Sequence, residues 1–194
     1  DINLEVGSAS HAVQTTRIME RFEPVCLGEK PAAVLVVGDV NSTAAAVLVA
    51  VKLGIFSIHY EAGLRSGDRN MPEEINRIVT DAVCDLFFTT SADADENLAR
   101  AGIDRERIWM CGNLMIDSLV RHLKKAGPRA LKIQPLGKKS PLPDSLPGDS
   151  YALMTFHRPV NVDTSQNLKV LVRTWPDVAR QIPLIFPLHP RTRQ

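Results

Sequence analysis

Aromatic side chains are scarce in this chain, at 5% of its 194 residues. A protein that grips single-stranded nucleic acid by stacking its bases needs more of them, so that class is set aside. Charge of one sign is lacking too: 23 Lys and Arg face 22 Asp and Glu, for a net charge of +1. Such a balance offers no general pull toward a nucleic-acid backbone or an anionic membrane. No apolar run approaches the roughly 18–20 residues needed to span a bilayer, and no secretory leader is evident, so a cytoplasmic location is expected. The three cysteines, Cys26, Cys84 and Cys111, are widely spaced and fit neither a zinc site nor a redox pair. Each lies in an apolar or helical context and is expected to be a reduced, buried thiol. Neither GxGxxG nor GxxxxGK[ST] occurs, which removes the usual sequence support for dinucleotide redox chemistry and P-loop phosphoryl transfer. No cofactor and no metal site are expected.

What is present is a regular alternation, with 44% hydrophobic residues to build a core. A helix is expected from about Ser10, with Ala12, Ile18, Met19 and Phe22 on its apolar side, until Pro24 bends or ends it. Ala33–Val37 is an unbroken apolar run of strand length, predicted to be buried on both faces as in parallel sheets. Gly38-Asp39 closes it, and Asn41 or Ser42 can cap a helix over Thr43–Lys52 that stops at Gly54. Next come a strand at Phe56–Ile58, a polar loop, and a helix over Pro72–Cys84 with Pro at its first position and Glu73 and Glu74 in its first turn. A strand at Leu86–Thr89, a helix over Ala92–Ala101, a short strand at Ile108–Met110 and a helix over Met115–Lys125 complete this part. Strand and helix alternating through short connections predict right-handed βαβ units around a parallel sheet, an α/β fold.

Between 127 and 149 the composition shifts to Pro128, Pro135, Pro141, Pro143 and Pro147 among lysines, the mark of a linker or exposed loop. A strand over Tyr151–Thr155, a helix around Gln166–Arg180 interrupted at Pro176, and a strand over Leu184–Leu188 restart the alternation. Residues 1–126 are thus expected to form most of one Rossmann-like domain and 150–194 the start of a second. Both ends look cut, and about 45 residues are marginal as a domain. The expectation is a piece of a two-domain protein.

In open α/β sheets, ligands bind at the carboxyl edge of the strands. The stretch Ile58–Arg77 runs from a strand end through a charged loop into a helix, delivering Glu61, Arg65, Glu73 and Arg77 to that edge. Asp39 follows the preceding strand. Asp39 can also be read as a turn or cap acid, and Glu73 as a first-turn acid paired with Arg77 at i,i+4. Glu61, an acid that ends an apolar strand, is harder to explain structurally. Two later strands likewise run into His and Arg, at His157-Arg158 and His189-Pro190-Arg191. A guanidinium fork matches a phosphate, so these suggest an anion site. Acids in the first part and cations in the second suit a sugar joined to a diphosphate, and the chain reads as a sugar-nucleotide enzyme.

Taken together these residues resemble the non-hydrolysing UDP-N-acetylglucosamine 2-epimerases. The matching pieces are Val36 to Thr43 (VVGDVNST), His59 to Ser66 (HYEAGLRS), Met71 to Arg77 (MPEEINR), Gly112 to Asp117 (GNLMID), Thr155 to Arg158 (TFHR) and His189 to Arg191 (HPR). The likeness runs over nearly the whole chain. It implies two Rossmann-like domains of the GT-B type, both incomplete here, with substrate in the cleft between them. It implies an isomerase that interconverts UDP-N-acetylglucosamine and UDP-N-acetylmannosamine by anti elimination of UDP and re-addition to 2-acetamidoglucal. By position, Asp39, Glu61 and Glu73 form the acid/base and cation-stabilising set, and His157 steadies the departing diphosphate. Arg65, Arg77, Arg158, His189 and Arg191 are the substrate- and phosphate-binding candidates. Which carboxylate serves which face of the sugar stays open. Family likeness also implies a homodimer for the full-length protein, and neither nucleic acid nor membrane is an expected partner.

The chain departs from the family at three points. The opening Gly-Thr-Arg-Pro-Glu turn is absent, and so is the later Asp-Ser-Gly-Gly region. The usual His-Arg-(Arg or Ala)-Glu-Asn stands as His157-Arg158-Pro159-Val160-Asn161, without its glutamate. The 194 residues alone are therefore expected to be inactive. Three rivals remain: a 2-epimerase of a related sugar nucleotide such as UDP-2,3-diacetamido-glucuronate, a retaining glycosyltransferase of the same fold, and a catalytically silent nucleotide-binding protein.

Overall fold

The structure, a computed structural model, describes residues 1–126, 151–156 and 165–187. The chain divides into two compact units, Asp1–Gly127 and Pro128–Gln194. In the first, α1 (His11–Glu29) is followed by β1 (Ala33–Val37), α2 (Asn41–Lys52), β2 (Phe56–Tyr60), α3 (Pro72–Val83) and β3 (Leu86–Thr89). Then come α4 (Ala92–Arg100), a single 3-10 turn at Arg105–Arg107, β4 (Ile108–Met110) and α5 (Leu114–Ala126). The strands form one parallel sheet in the order β1-β2-β3-β4. Parallel neighbours need a crossover, and a helix supplies each one.

Val34 and Val36 of β1 pack with Val47 and Ala50 of α2, Phe87 of β3 and Leu98 of α4 in the core of this unit. The other face of β1 differs from expectation. Leu35 and Val37 are each 52% exposed, so among the described residues this strand is covered on one face only. An all-apolar strand needs a second layer to bury both faces, and the described residues do not provide one.

Helix boundaries also depart from the sequence reading. The first helix passes through Pro24 and runs to Glu29. Ser10 caps its start, Lys30 closes its end in the left-handed region, and Ile18 and Cys26, on either side of Pro24, are both buried. Packing on both flanks outweighs the one backbone hydrogen bond that proline removes. Helix α2 begins at Asn41, and its cap position falls on Val40, whose apolar side chain makes no capping bond; the Asn41 amide instead bridges helices. Its Nδ2 donates to Gln14 Oε1 (2.7 Å) and its Oδ1 accepts from Asn76 Nδ2 (3.2 Å), tying α1 to α3. Strand β2 extends to Tyr60, which places His59 inside the sheet. Cys26 and Cys84 are buried as expected, whereas Cys111 is exposed.

The second unit contains β5 (Ala152–Leu153) paired parallel with β6 (Leu184–Ile185), and α6 (Ser165–Ala179) between them in sequence. Both strands are shorter than expected, and α6 continues through Pro176. Trp175 and Phe186 meet edge to face with centroids 5.1 Å apart, and Phe156 lies 6.0 Å from Trp175. The proposed linker lies outside the described residues. Among the described residues, no helix is long and apolar enough to cross a membrane.

Candidate active site

The pairing Val37↔Tyr60 aligns the last residues of β1 and β2, so Gly38 and Glu61 leave the sheet side by side. The Gly38 N–H donates to Tyr60 O at 3.0 Å. Gly38 has φ +68°, and a Cβ there would stand 3.3 Å from Glu61 Oε2. Both the backbone angle and the space call for glycine. The Glu61 carboxylate therefore lies over the turn that carries Asp39.

Glu61 itself has φ +66°, a left-handed conformation that costs a non-glycine residue about 1–3 kcal/mol and persists only where its surroundings enforce it. The next residues show how. Ala62 N–H donates to Phe88 O (3.2 Å), Gly63 N–H to Asp81 Oδ2 (3.2 Å), and Gly63 O accepts from Asn97 Nδ2 (2.9 Å). A Cβ on Gly63 would meet Ala94 O at 2.3 Å, so α4 presses this turn against the sheet end.

Helix α3 turns a polar face inward. Glu74, Arg77 and Asp81, at i, i+3 and i+7, share one side of it. Arg77 joins two carboxylates, Nη1 to Asp39 Oδ2 (3.1 Å) and Nη2 to Glu74 Oε2 (3.0 Å), while Asn76 Nδ2 donates to Asp39 O (2.9 Å). The i,i+4 pair expected between Glu73 and Arg77 is replaced by this i,i+3 pair, because Glu74 is the acid on the inward face. Burial alone would push the Glu74 carboxyl up. Hydrogen bonds from the Ser66 N–H and hydroxyl and the Gly67 N–H, with the Arg77 charge, outweigh it and hold that group below the usual range. Glu73 sits half-exposed on the first turn of α3.

Beneath these acids lies a buried cluster. His59 has no exposed surface; its Nδ1 meets Asp81 Oδ1 at 2.7 Å and its Nε2 meets Gly38 O at 2.8 Å. A carbonyl oxygen only accepts, so Nε2 carries a proton. Asp81, 2% exposed, also takes Arg65 Nη1 at 2.6 Å on Oδ2.

Asp39 and Glu61 thus follow adjacent strand ends, and Glu73 lies on the helix whose Asn76 and Arg77 hold Asp39. Arg65 and Arg77 reach the same rim, but each is already matched by a carboxylate. His157, Arg158, His189 and Arg191 lie outside the described residues. Sequence reasoning missed His59, Asp81, Glu74 and Asn76. The signal for Glu74 and Asp81 was a charged stripe at helical spacing, and for His59 a lone ring in an apolar strand. A pocket of about 420 Å³ is lined by Val40, Asn41 and Ser42, just after Asp39, and by Gln14 and Ile18 of α1. Two carboxylates at adjacent strand ends can take a proton from a bound carbon acid and return one.

Comparison with known proteins places the chain in a family. A family model described as UDP-N-acetylglucosamine 2-epimerase matches residues 1–194. A UDP-N-acetylglucosamine 2-epimerase homolog of Methanococcus maripaludis is 42% identical, over 99% of this chain and 51% of its own length. A UDP-2,3-diacetamido-2,3-dideoxy-D-glucuronate 2-epimerase of Pseudomonas aeruginosa is 38% identical, over 100% and 52% respectively. The crystal structure of the Methanocaldococcus jannaschii UDP-GlcNAc 2-epimerase in complex with UDP-GlcNAc and UDP superposes with a TM-score of 0.83 at 37% identity, covering 100% of this chain and 52% of that one. The chain spans about half the length of the relatives it matches.

Proposed function

This chain belongs to the UDP-N-acetylglucosamine 2-epimerase family, and from that premise we propose that the full-length protein interconverts UDP-N-acetylglucosamine and UDP-N-acetylmannosamine. The observation that supports the reading is that Asp39 and Glu61 follow adjacent, paired strand ends, with α3 bonded to Asp39 through Arg77. The C2 proton of the sugar is not acidic in the ground state. Cleavage of the C1–O bond must lead, UDP departing with the bonding electrons and positive charge building on the ring. A rim carboxylate removes the C2 proton to leave a glucal. A second acid returns a proton to the opposite face of C2 as a UDP oxygen re-forms the bond to C1. On this reading Asp39, Glu61 and Glu73 supply the proton transfers and stabilise the cationic ring. The cations His157, Arg158, His189 and Arg191 receive the diphosphate. Arg65 and Arg77 support carboxylates at the rim, a role closer to positioning than to phosphate binding. The full-length protein is proposed to be a homodimer, from family likeness alone, and to be cytoplasmic.

The Pseudomonas relative favours a second reading, the same inversion on a diacetamido-glucuronate. The proton chemistry is common to both, and the sugar substituents separate them. The test incubates the full-length protein with either UDP-sugar in deuterated water. Deuterium at C2 of the epimerised product is expected. Epimer without C2 exchange would rule out elimination, and sugar transfer to an acceptor would favour a glycosyltransferase.

A further inference from the structure

The acid pair has a support that the reaction scheme does not use. Glu61 stands between two residues, His59 and Gly63, that bond the same carboxylate: His59 Nδ1 faces Asp81 Oδ1 and Gly63 N–H donates to Asp81 Oδ2. One side chain of α3 thus grips the strand on both sides of the left-handed residue. The other edge of the His59 ring reaches across to β1, where Nε2 donates to Gly38 O. Gly38 is the residue over which the Glu61 carboxylate lies, and it precedes Asp39. Arg65 completes the cluster on Asp81 Oδ2. With the ring wholly buried and Asp81 at 2%, neither partner has water as an alternative. The imidazole therefore contributes to two distances: β1 to β2 where the acids emerge, beside the Gly38 N–H to Tyr60 O bond, and the Glu61 turn to α3, beside the Gly63 N–H to Asp81 bond.

We propose that His59 is a positioning residue for the carboxylate pair, holding the Gly38–Asp39 turn and the Glu61 turn in register through Gly38 O and Asp81. This inference rests on the proton-transfer role given above to Asp39 and Glu61. His59 touches no reacting atom in this account, since its two nitrogens are both occupied by protein acceptors. Its contribution is geometric, and proton transfer is sensitive to misplacement of about 1 Å, which can cost on the order of 100-fold in rate.

Three variants of the full-length protein separate geometry from mere filling of space. His59→Phe keeps the ring volume but gives neither Gly38 O nor Asp81 a donor. His59→Gln keeps one amide donor for one of those acceptors. Asp81→Asn keeps the imidazole and removes the charge it faces. C2 deuterium exchange, kcat, KM and thermal stability are read for each. The expected result is a kcat loss of about 100-fold for His59→Phe and about 10-fold for His59→Gln and Asp81→Asn, with KM within about 3-fold. The partial rescue by Gln over Phe is the decisive feature, because a space-filling role would favour Phe. Equal rates for wild type and His59→Phe overturn the proposal. Losses that track thermal stability, with Gln no better than Phe, also overturn it by reducing His59 to a packing residue. Should His59→Phe fail to fold, His59→Gln and Asp81→Asn carry the same comparison. A wild-type protein without any C2 exchange would instead refute the epimerase reading. The cluster would then be judged by nitrogen NMR of the full-length protein: two hydrogen-bonded ring nitrogens are expected on His59, and a free one would refute the geometry.

Discussion

Strand β2 carries a buried polar cluster at each end, and the two behave differently. At the carboxyl end sit His59, Asp81 and Arg65. Toward the amino end, Ser57 gives its N–H and its hydroxyl to Asp85 Oδ2, both at 2.8 Å. Arg107 donates from Nε to Asp85 O (2.8 Å) and from Nη2 to Cys84 O, with its guanidinium 5.3 Å from the centre of the Phe87 ring. Both clusters are built from an acid after or on α3, a polar strand residue and an arginine. The amino-end cluster closes on itself and ends there. The carboxyl-end cluster continues outward into Asp39, Glu61 and Glu74, with a left-handed glutamate, a left-handed glycine at Gly38 and, at Gly63, a second that has no room for a Cβ. A buried polar network alone is thus no sign of chemistry; the sign is that its neighbours are strained and partly open to solvent.

The comparison breaks most sharply at Glu61. In the full-length protein, Glu61→Gln keeps the shape of the side chain but removes a carboxylate proposed to take part in proton transfer. C2 deuterium exchange is expected to fall by about 10²–10⁴-fold, with thermal stability nearly unchanged. A variant that exchanges deuterium at the wild-type rate would remove Glu61 from the reaction.

At the other end of the strand the effect should be on stability alone. Asp85→Ala leaves the Ser57 N–H and hydroxyl, fully buried, without their acceptor. Each orphaned group costs about 1–3 kcal/mol, so a loss of about 3 kcal/mol in denaturant unfolding is expected, with kcat of the folded fraction unaltered. A kcat loss matching that of Glu61→Gln would erase the distinction between the two ends.

Much of this arrangement is legible in the sequence. The alternation of AVLVV, FSIHY and LFFT with helical segments specifies the parallel sheet, and the acids Asp39 and Glu61 are legible because each follows an apolar run. What stays hidden depends on packing. Asn41 has the chemistry of a helix cap, yet spends its amide on Gln14 and Asn76. Pro24 reads as a break, yet Ile18 and Cys26 hold the helix on both flanks. Glu73 and Glu74 are adjacent and chemically alike, and only the facing of α3 decides that Glu74 is the buried partner of Arg77. The exposed face of β1 was illegible for a similar reason: five apolar residues in a row report what a strand could bury, not what lies against it.

Glu74 ties the rim to pH. Its carboxyl is held below the usual range in the folded protein. A depressed carboxyl stabilises the fold above its unfolded value, 4.5, and that contribution fades as pH falls below it through the folded value. Glu74→Gln is expected to lower stability at neutral pH by about 2 kcal/mol, since Arg77 keeps Asp39 but loses its second carboxylate. The variant should also unfold less steeply on acidification than wild type. An unchanged acid limb would show that the bonds from Ser66 and Gly67 do not set the ionisation of this group.

Cys84, in the amino-end cluster, gives no effect at neutral pH and one of the opposite sign in alkali. Burial pushes its thiol up to about 12 from 9.0. A raised acid stays protonated in the folded protein while the unfolded chain ionises, so its stabilising share is complete below pH 9 and is lost progressively as pH climbs toward 12. One such group can remove at most about 1.4 kcal/mol per pH unit in that window. Cys84→Ala should flatten the alkaline fall in stability by that amount while leaving the acid limb intact. Thiol labelling at pH 8 gives an independent check: the exposed Cys111 should react at once, and Cys84 only at the rate of opening of the fold. Rapid reaction of Cys84 would mean that this end of the strand is not the closed cluster it is taken to be, and that both ends of β2 are open to solvent.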